Sequence, residues 1–381
     1  MSLPTLHSLY IHWPFCSSKC YYCDFVALEQ HTDYQDAYHA ALCKEIELKS
    51  NNLRPEDRNI KTIFIGGGTP SLYPPEQFAE LFTVLRKHYN FNSIEEITIE
   101  ANPADITEKR LDTWLSCGVS RVSCGVQVLD DAALERLNRR QRIYDVKQAI
   151  KLLPKYFDNI SMDLIVGLPG VSNTTWQKTI ETVTTWPLKH LSLYFLTIHE
   201  QTPLYYKIKK GEITPTDDET IVDAYQITVN HFQQHGFMQY EISNFAQKDY
   251  ESTHNIAYWN RKPYLGFGIG SSSFNGSKRT INQKNLTTYI NELQKDHFSF
   301  NFSEILTPEQ ITMETFMLSL RQRSGMHLHS MLYYIDKAQH NNFLQKLYHL
   351  EEAGFIQIHN EQVQLTMRGM IFENEVILKL L

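Results

Sequence analysis

The chain has 381 residues, 42% hydrophobic and 21% charged, a composition that suits a globular protein with one large and one smaller domain and excludes a disordered chain. Its net charge of −7, from 36 basic and 43 acidic residues, gives no reason to expect nucleic acid as a partner. No stretch reaches the roughly 18–20 apolar residues that span a bilayer, and the opening MSLPTLHSLYIHWPFC has no basic region followed by an apolar one. A cytoplasmic protein with no integral membrane segment is expected.

Short apolar runs then recur, each followed by a helical pattern. SLYIH (8–12) leads through a cysteine-rich loop to a helix over 33–50. TIFIG (62–66) leads through a glycine loop to a helix over 75–89, and EEITIE (95–100) to a helical stretch ending near Gly118. RVSCGVQ (121–127), NISMDLIVG (159–167) and HLSLYFL (190–196) open three more units, the last completed by a helix over 217–236. Strands and helices alternating at this spacing predict a parallel sheet with helices outside, flat or curved into an open barrel. In a barrel, chemistry belongs at the C-terminal strand ends. Cys16, Gly66 to Gly68, Glu100, Gln127 and the turn at Gly167 all fall at or just past such ends.

The texture changes near residue 305. Helical periodicity over 306–322 and 341–353, a stop at Gly354, and alternation on both sides of a turn in FIQIHNEQVQLT (355–366) predict helices followed by a hairpin, a winged-helix-like α+β module. Residues 306–381 carry 6 basic and 8 acidic residues, which argues against DNA binding. The division expected is 1–235 for the barrel, 236–304 for a connecting segment and 305–381 for the module.

Three of the six cysteines, Cys16, Cys20 and Cys23, crowd into one loop, while Cys43, Cys117 and Cys124 sit among apolar neighbours and read as small core residues. Thiolates in CxxxCxxC spacing select zinc or an iron–sulfur cluster. Structural zinc ordinarily takes four protein ligands, and no second pair is present here. Three thiolates hold three irons of a cubane and leave the fourth open. Gly66-Gly67-Gly68-Thr69-Pro70 matches no nucleotide-phosphate loop. It is either a plain turn or a place where backbone carbonyls approach an ammonium group.

YIHWPFCSSKCYYCDF resembles the signature loop of the radical S-adenosylmethionine (SAM) superfamily. More narrowly, it is similar to the branch that holds the oxygen-independent coproporphyrinogen III oxidase and the haem chaperone HemW. The resemblance covers nearly the whole chain and implies a partial (β/α)6 barrel. It also implies a [4Fe–4S] cluster on Cys16, Cys20 and Cys23 whose open iron takes SAM, with reductive cleavage to a 5′-deoxyadenosyl radical. By the same resemblance Gly67, Gly68 and Thr69 meet the methionine amine, and Glu100 in EANP contacts SAM. Tyr10, Tyr22, Gln127, Arg139 and Asp163 match further SAM contacts, and an electron donor such as flavodoxin or ferredoxin is implied.

Within the branch, three features point to the chaperone. Phe25 stands where the oxidase carries a fourth cysteine, the oxidase's long extension before the loop is absent, and His254-Asn255-x-x-Tyr258-Trp259 resembles the chaperone's HNxxYW motif. Haem as cargo and an apo-haemoprotein acceptor follow from that branch. Imidazole is a common haem ligand, so His254 is either that ligand or a buried residue satisfying its neighbours. Two features lean the other way. Asn138-Arg139-Arg140-Gln141 looks like the oxidase's N-R-x-Q, and His199 replaces the chaperone's usual glutamate. Oxidative decarboxylation of coproporphyrinogen III is therefore the alternative activity.

Overall fold

The computed structural model of the protein describes residues 6–381. Its centre is six strands: β1 (Ser8–Trp13), β2 (Thr62–Gly67), β3 (Glu96–Ala101), β4 (Arg121–Gln127), β5 (Asn159–Val166) and β6 (His190–Phe195). They lie side by side in chain order, every neighbouring pair parallel. Successive strand residues face opposite ways, and polarity alternates with them. Leu9, Ile11, Ile63, Ile65, Val122 and Met162 are fully buried on the outer side. Tyr10, Glu100, Ser123, Asp163 and Ser192 occupy the inner row. Burying each large aliphatic side chain stabilises the fold by about 1.5–3 kcal/mol. A slip of one residue would turn the carboxylates into that apolar layer, so the register is firmly set.

Helices cover the outer face: α1 (Gln35–Asn51), α2 (Pro75–His88), α3 (Glu108–Cys117), α4 (Asp131–Arg136), α5 (Ile143–Leu152) and α6 (Asn173–Val183), with α7 (Pro203–Lys209) and α8 (Asp218–Gln234) after β6. Local chemistry sets their ends. The Asp130 and Ser172 side chains accept the Ala133 and Thr175 N–H groups at the starts of α4 and α6, and Gly118 ends α3 at φ 91°. Cys117 and Cys124 are buried in this layer and Cys43 is partly so.

Residues 236–304 do more than connect. They add β7 (Met238–Glu241) and β8 (Asn244–Ala246) beyond β6, then β9 (Tyr264–Phe267) parallel to the free edge of β1, then antiparallel β10 (Ser272–Phe274), β11 (Lys278–Asn282) and β12 (Phe300–Ile305). The result is one twelve-stranded open sheet. The new edge is clamped to α1 by a buried ion pair, Lys49 Nζ to Glu45 Oε1 at 2.7 Å. Lys49 also donates to Gly266 O, and Glu45 Oε2 accepts the Gly268 N–H and the Tyr289 hydroxyl, each at 2.7–2.8 Å.

The C-terminal module has its own core, with Phe316, Leu320, Phe343, Leu347, Val363 and Leu365 at its centre. Its helix α11 (Pro308–Leu320) begins with a reciprocal cap between Thr307 and Gln310 and a proline in the first turn. (Between these parts lie α9, Thr253–Trp259, and α10, Leu286–Leu293.) Helix His340–Glu352 stops before Gly354 at φ 73°, and the hairpin Ile356–His359 with Gln362–Leu365 turns through Asn360 and Glu361, both at positive φ. A two-residue strand, Met326–His327, completes a three-stranded sheet.

The clamp generates a stability prediction. Lys49→Met leaves Glu45 buried without its cation and is expected to cost about 3–5 kcal/mol, read as a lower urea midpoint. An unchanged midpoint would show that the remaining donors suffice.

Candidate functional site

The loop from Cys16 to Leu28 is held mostly by other parts of the chain. At its neck Phe15–Cys16 pairs with Leu28–Glu29, and the Leu28 N–H donates to Pro14 O at 2.8 Å. At its far side the Tyr21 N–H donates to Leu137 O at 3.0 Å, and Tyr21 O accepts the Leu204 N–H at 2.9 Å. Asn138, in the left-handed region at φ 59°, turns its Nδ2 onto Lys19 O at 2.9 Å. Inside, the His12 Nε2–H donates to Val26 O at 2.7 Å while Nδ1 pairs with the Tyr10 hydroxyl at 3.0 Å. Burial holds His12 neutral, with its pKa down to about 4.

So tied, Cys16, Cys20 and Cys23 stand on the rim of a cavity of about 400 Å³ at the C-terminal ends of the strands. Among the described residues no three His, Cys, Asp or Glu side chains converge on a single-ion site. Burial raises the Cys16 and Cys23 thiols, Cys23 to about 11, so binding as thiolates releases protons. The Thr69 hydroxyl reaches Cys16 Sγ at 3.3 Å, and Arg139 Nη1 reaches Cys20 Sγ at 3.5 Å.

The glycine run fits a close approach. A side chain on Gly68 would put Cβ 2.4 Å from Pro14 O and 3.0 Å from Cys16 Sγ. On Gly66 it would lie 3.1 Å from Glu100 Oε2, and Gly67 has φ +119°. Glu100 accepts the Gly67 N–H at 3.2 Å. Burial, reinforced by the Asp163 carboxyl, lifts Glu100 to about 8. Burial also raises Asp163, although Ser123 donates to both its oxygens at 3.0 and 3.1 Å. Two carboxyls deprived of water in one cavity favour a cationic ligand.

Gln127 lines the same wall at φ 69°, past an irregularity in the β4–β5 pairing. Strain of this kind, in a residue with a Cβ, marks functional sites. Arg139 and Gln141 both donate to Gly125 O, at 2.7 and 3.1 Å, and Gln141 accepts from Asn102 at 3.0 Å. Tyr22 and Thr69 line the cavity, whereas Tyr10 lies below its wall. Asn102, Arg140, Tyr194, Asp24 and His199 also line it, and the sequence reading gave none of them a role. The polar inner positions of RVSCGVQ and HLSLYFL were the signal for Ser123, Ser192 and Tyr194.

His254 is elsewhere. It lies in the first turn of α9, beneath the N-terminal ends of the strands and opposite the cysteines, and is 1% exposed. Its N–H and that of Thr253 are held by Glu96, the first residue of β3, at 3.2 and 2.9 Å. Nδ1 pairs with the Thr62 hydroxyl at 2.8 Å, the ring packs on Phe64 and Tyr258, and burial lowers its pKa to about 3. Trp259 lies under the Arg321 guanidinium at 4.5 Å, and Arg321 pairs with Glu241 at 2.9 Å. These contacts set His254 apart from the cavity, with its Nε2 buried and unpartnered among the described residues. The motif joins the barrel floor to the C-terminal module, because capping by Glu96 and Ser252 draws α9 inward.

A cysteine loop seated on a glycine strand end, above an open parallel barrel with an acidic interior, defines a radical SAM protein. Residues 10–183 match the model of the Radical SAM superfamily. The chain is 34% identical over 374 residues to "Heme chaperone HemW" of Bacillus subtilis, covering 97% of this chain and 98% of that protein. It is 31% identical over 321 residues to the protein of the same name in Lactococcus lactis, covering 84% and 83%. The chain belongs to the HemW family. The solved structure of coproporphyrinogen III oxidase (HemN) from Escherichia coli superposes with a TM-score of 0.87 at 23% identity, over 99% of this chain and 90% of that one, and shares the fold. No helix among the described residues is long and apolar enough to cross a membrane.

Two substitutions test the site. Cys20→Ser should abolish the visible absorption of the anaerobically reconstituted protein. Gly68→Ala forces the neck of the loop aside and should lower iron incorporation at least twofold; full incorporation in either variant would sink the assignment.

Proposed function

We propose that the chain holds a [4Fe–4S] cluster on Cys16, Cys20 and Cys23, binds SAM in the acidic cavity, and carries haem to an apo-haemoprotein. The observation that carries the chaperone reading is Phe25. It fills the position of the oxidase's fourth cysteine, 65% exposed at the cavity mouth, in a chain whose full-length relatives are named haem chaperones. When bound, the cluster offers one open iron to SAM and the electron for its cleavage, drawn from a donor such as flavodoxin or ferredoxin.

The chain's own groups divide the remaining tasks. Gly66 to Gly68 admit the methionine end of SAM against bare backbone. Glu100 and Asp163 meet its positive charge, and Arg139 and Gln141 brace the β4 wall beside the strained Gln127. The same N-R-x-Q bracket at 138–141 favours the second reading, an oxidase that decarboxylates coproporphyrinogen III.

The deciding assay titrates haem into the reconstituted protein and, in parallel, supplies coproporphyrinogen III with SAM and reductant. Stable haem uptake without protoporphyrinogen supports the chaperone; catalytic protoporphyrinogen formation overturns it. A pH prediction follows from Glu100. Below pH about 8 its carboxyl is protonated in the free protein, and a cationic ligand requires it ionised. SAM affinity should therefore rise with pH toward 8, by up to about tenfold per unit. Calorimetry at pH 7 in buffers of different ionisation enthalpy should show proton release near one per SAM, lost in Glu100→Gln. No release in the wild type would remove Glu100 from the SAM contacts.

A further inference from the structure

An electron for the cluster has to enter from outside, and in the reading above the cavity side of the cysteine loop belongs to SAM. That leaves the outer side. From Ser18 to Phe25 every residue lines the cavity except Tyr21. Tyr21 is tied to the surrounding barrel instead, its N–H to Leu137 O at 3.0 Å and its carbonyl to the Leu204 N–H at 2.9 Å. Lys207 Nζ lies over its ring, 5.0 Å from the centroid.

The two segments that hold Tyr21 are strongly basic. Residues 135–142 carry four arginines and one glutamate, and residues 203–210 carry three lysines and no acid. The rest of the chain holds 29 basic and 42 acidic residues. Arg139 and Arg140 line the cavity, and Arg140 pairs with Asp105. The other charges reach the surface. Arg136, Lys209 and Lys210 are exposed and have no carboxylate partner among the described residues. Arg136 Nη1 donates to Pro169 O at 2.7 Å, which holds that charge between α4 and the turn after β5. Lys207 pairs with Glu212 at 3.1 Å and keeps its side chain 33% exposed.

Like charges gathered this way repel one another, and they draw in an anionic surface from a distance and speed its encounter. Tyr206, in α7 beside the lysines, is 52% exposed. With Tyr21 it offers the small contact area on which transient electron-transfer complexes form.

We propose that this outer face, with Tyr21 at its centre and Arg136, Lys207, Lys209 and Lys210 around it, docks a small acidic electron-transfer protein that reduces the cluster. The donor is oxidised by one electron, the cluster is reduced by one, and no atom is transferred. This rests on the cluster assignment above and holds for chaperone and oxidase alike.

The test uses the full-length, cluster-loaded protein under anaerobic conditions, with an acidic flavodoxin in its hydroquinone form as the probe. Stopped-flow absorption follows the flavin semiquinone as it forms, and fluorescence titration with oxidised flavodoxin measures docking without electron transfer. Wild type should be reduced at a bimolecular rate that falls steeply with added salt. The triple variant Lys207→Glu, Lys209→Glu, Lys210→Glu should lose about tenfold or more of that rate at low salt. It should bind oxidised flavodoxin correspondingly more weakly and approach the wild type at high salt. Arg136→Gln, on the other segment, should lower the rate by a smaller factor with the same salt dependence, and it decides alone if the triple variant loses iron. Dithionite, a small reductant, should bleach the cluster of all three proteins to the same extent. Rates and affinities equal to wild type in the variants, or a loss that salt does not erase, overturn the docking face and leave the cluster standing. So does wild type that dithionite bleaches and flavodoxin fails to reduce. Wild type that dithionite cannot bleach overturns the cluster assignment and the docking face with it.

Discussion

The three thiols stand where the peptide groups of their loop are tied. Between its two-residue neck and its far side, the loop from Cys16 to Leu28 depends on acceptors and donors from distant segments: Leu137 and Asn138 after α4, Leu204 at the start of α7, and His12 from β1. Each of those partners is fixed by the packed barrel. The geometry of the cysteines is therefore a property of the whole sheet, and a residue as remote as Glu45 bears on it through Gly268, whose backbone packs on Tyr38 and His12.

The inner face of the sheet sets the electrostatics of the cavity. Polar side chains there surround Glu100 and Asp163, and limited access to water raises both carboxyls. Their ionisation is costly without a neighbouring cation, so the cavity favours one charge type. Arg121, fully buried on the same inner face, stands against His190 with no carboxylate in contact among the described residues, and its charge eases the ionisation of Glu100 and Asp163. The two ends of the barrel are chemically distinct as a result. The C-terminal ends carry thiols, carboxyls and bare backbone. The N-terminal ends carry a sealed network in which Glu96 and His254 fasten α9, and through Trp259 and Arg321 the C-terminal module.

The six strand–helix units and their parallel sheet were legible because short apolar runs alternate with helical stretches long enough for crossovers, whereas their side-by-side order came from the tertiary pairing. The cysteines, the glycine run, Glu100 and Gln127 were legible as residues at or just past strand ends, and they surround one cavity with Asp163, which lies inside β5. The small module was legible from Gly354 and from the alternation either side of Asn360. The extension of the sheet by residues 238–305 was not, since its strands are three to six residues long and their pairing with β1 and β6 joins segments far apart in sequence. Nor was the pairing of His199 with Asp24, which are distant in the chain and meet only when the loop after β6 closes against the cysteine loop.

The sequence by itself determined the family, the set of groups presented at the strand ends and the class of cofactor chemistry they suit. The resemblance of its motifs to the radical SAM signature carried the family and the cofactor class, while local spacing and alternation carried the strand-end placement, because they depend on neighbours within a few residues. Only the tertiary structure decided which histidine faces the cavity. His254 sits in a marked motif, but the cap of its helix draws it under the sheet. His199 sits in an unremarkable loop, but the curvature of the sheet carries it to the mouth. Burial and direction are set by contacts between distant segments, and no spacing along the chain encodes them.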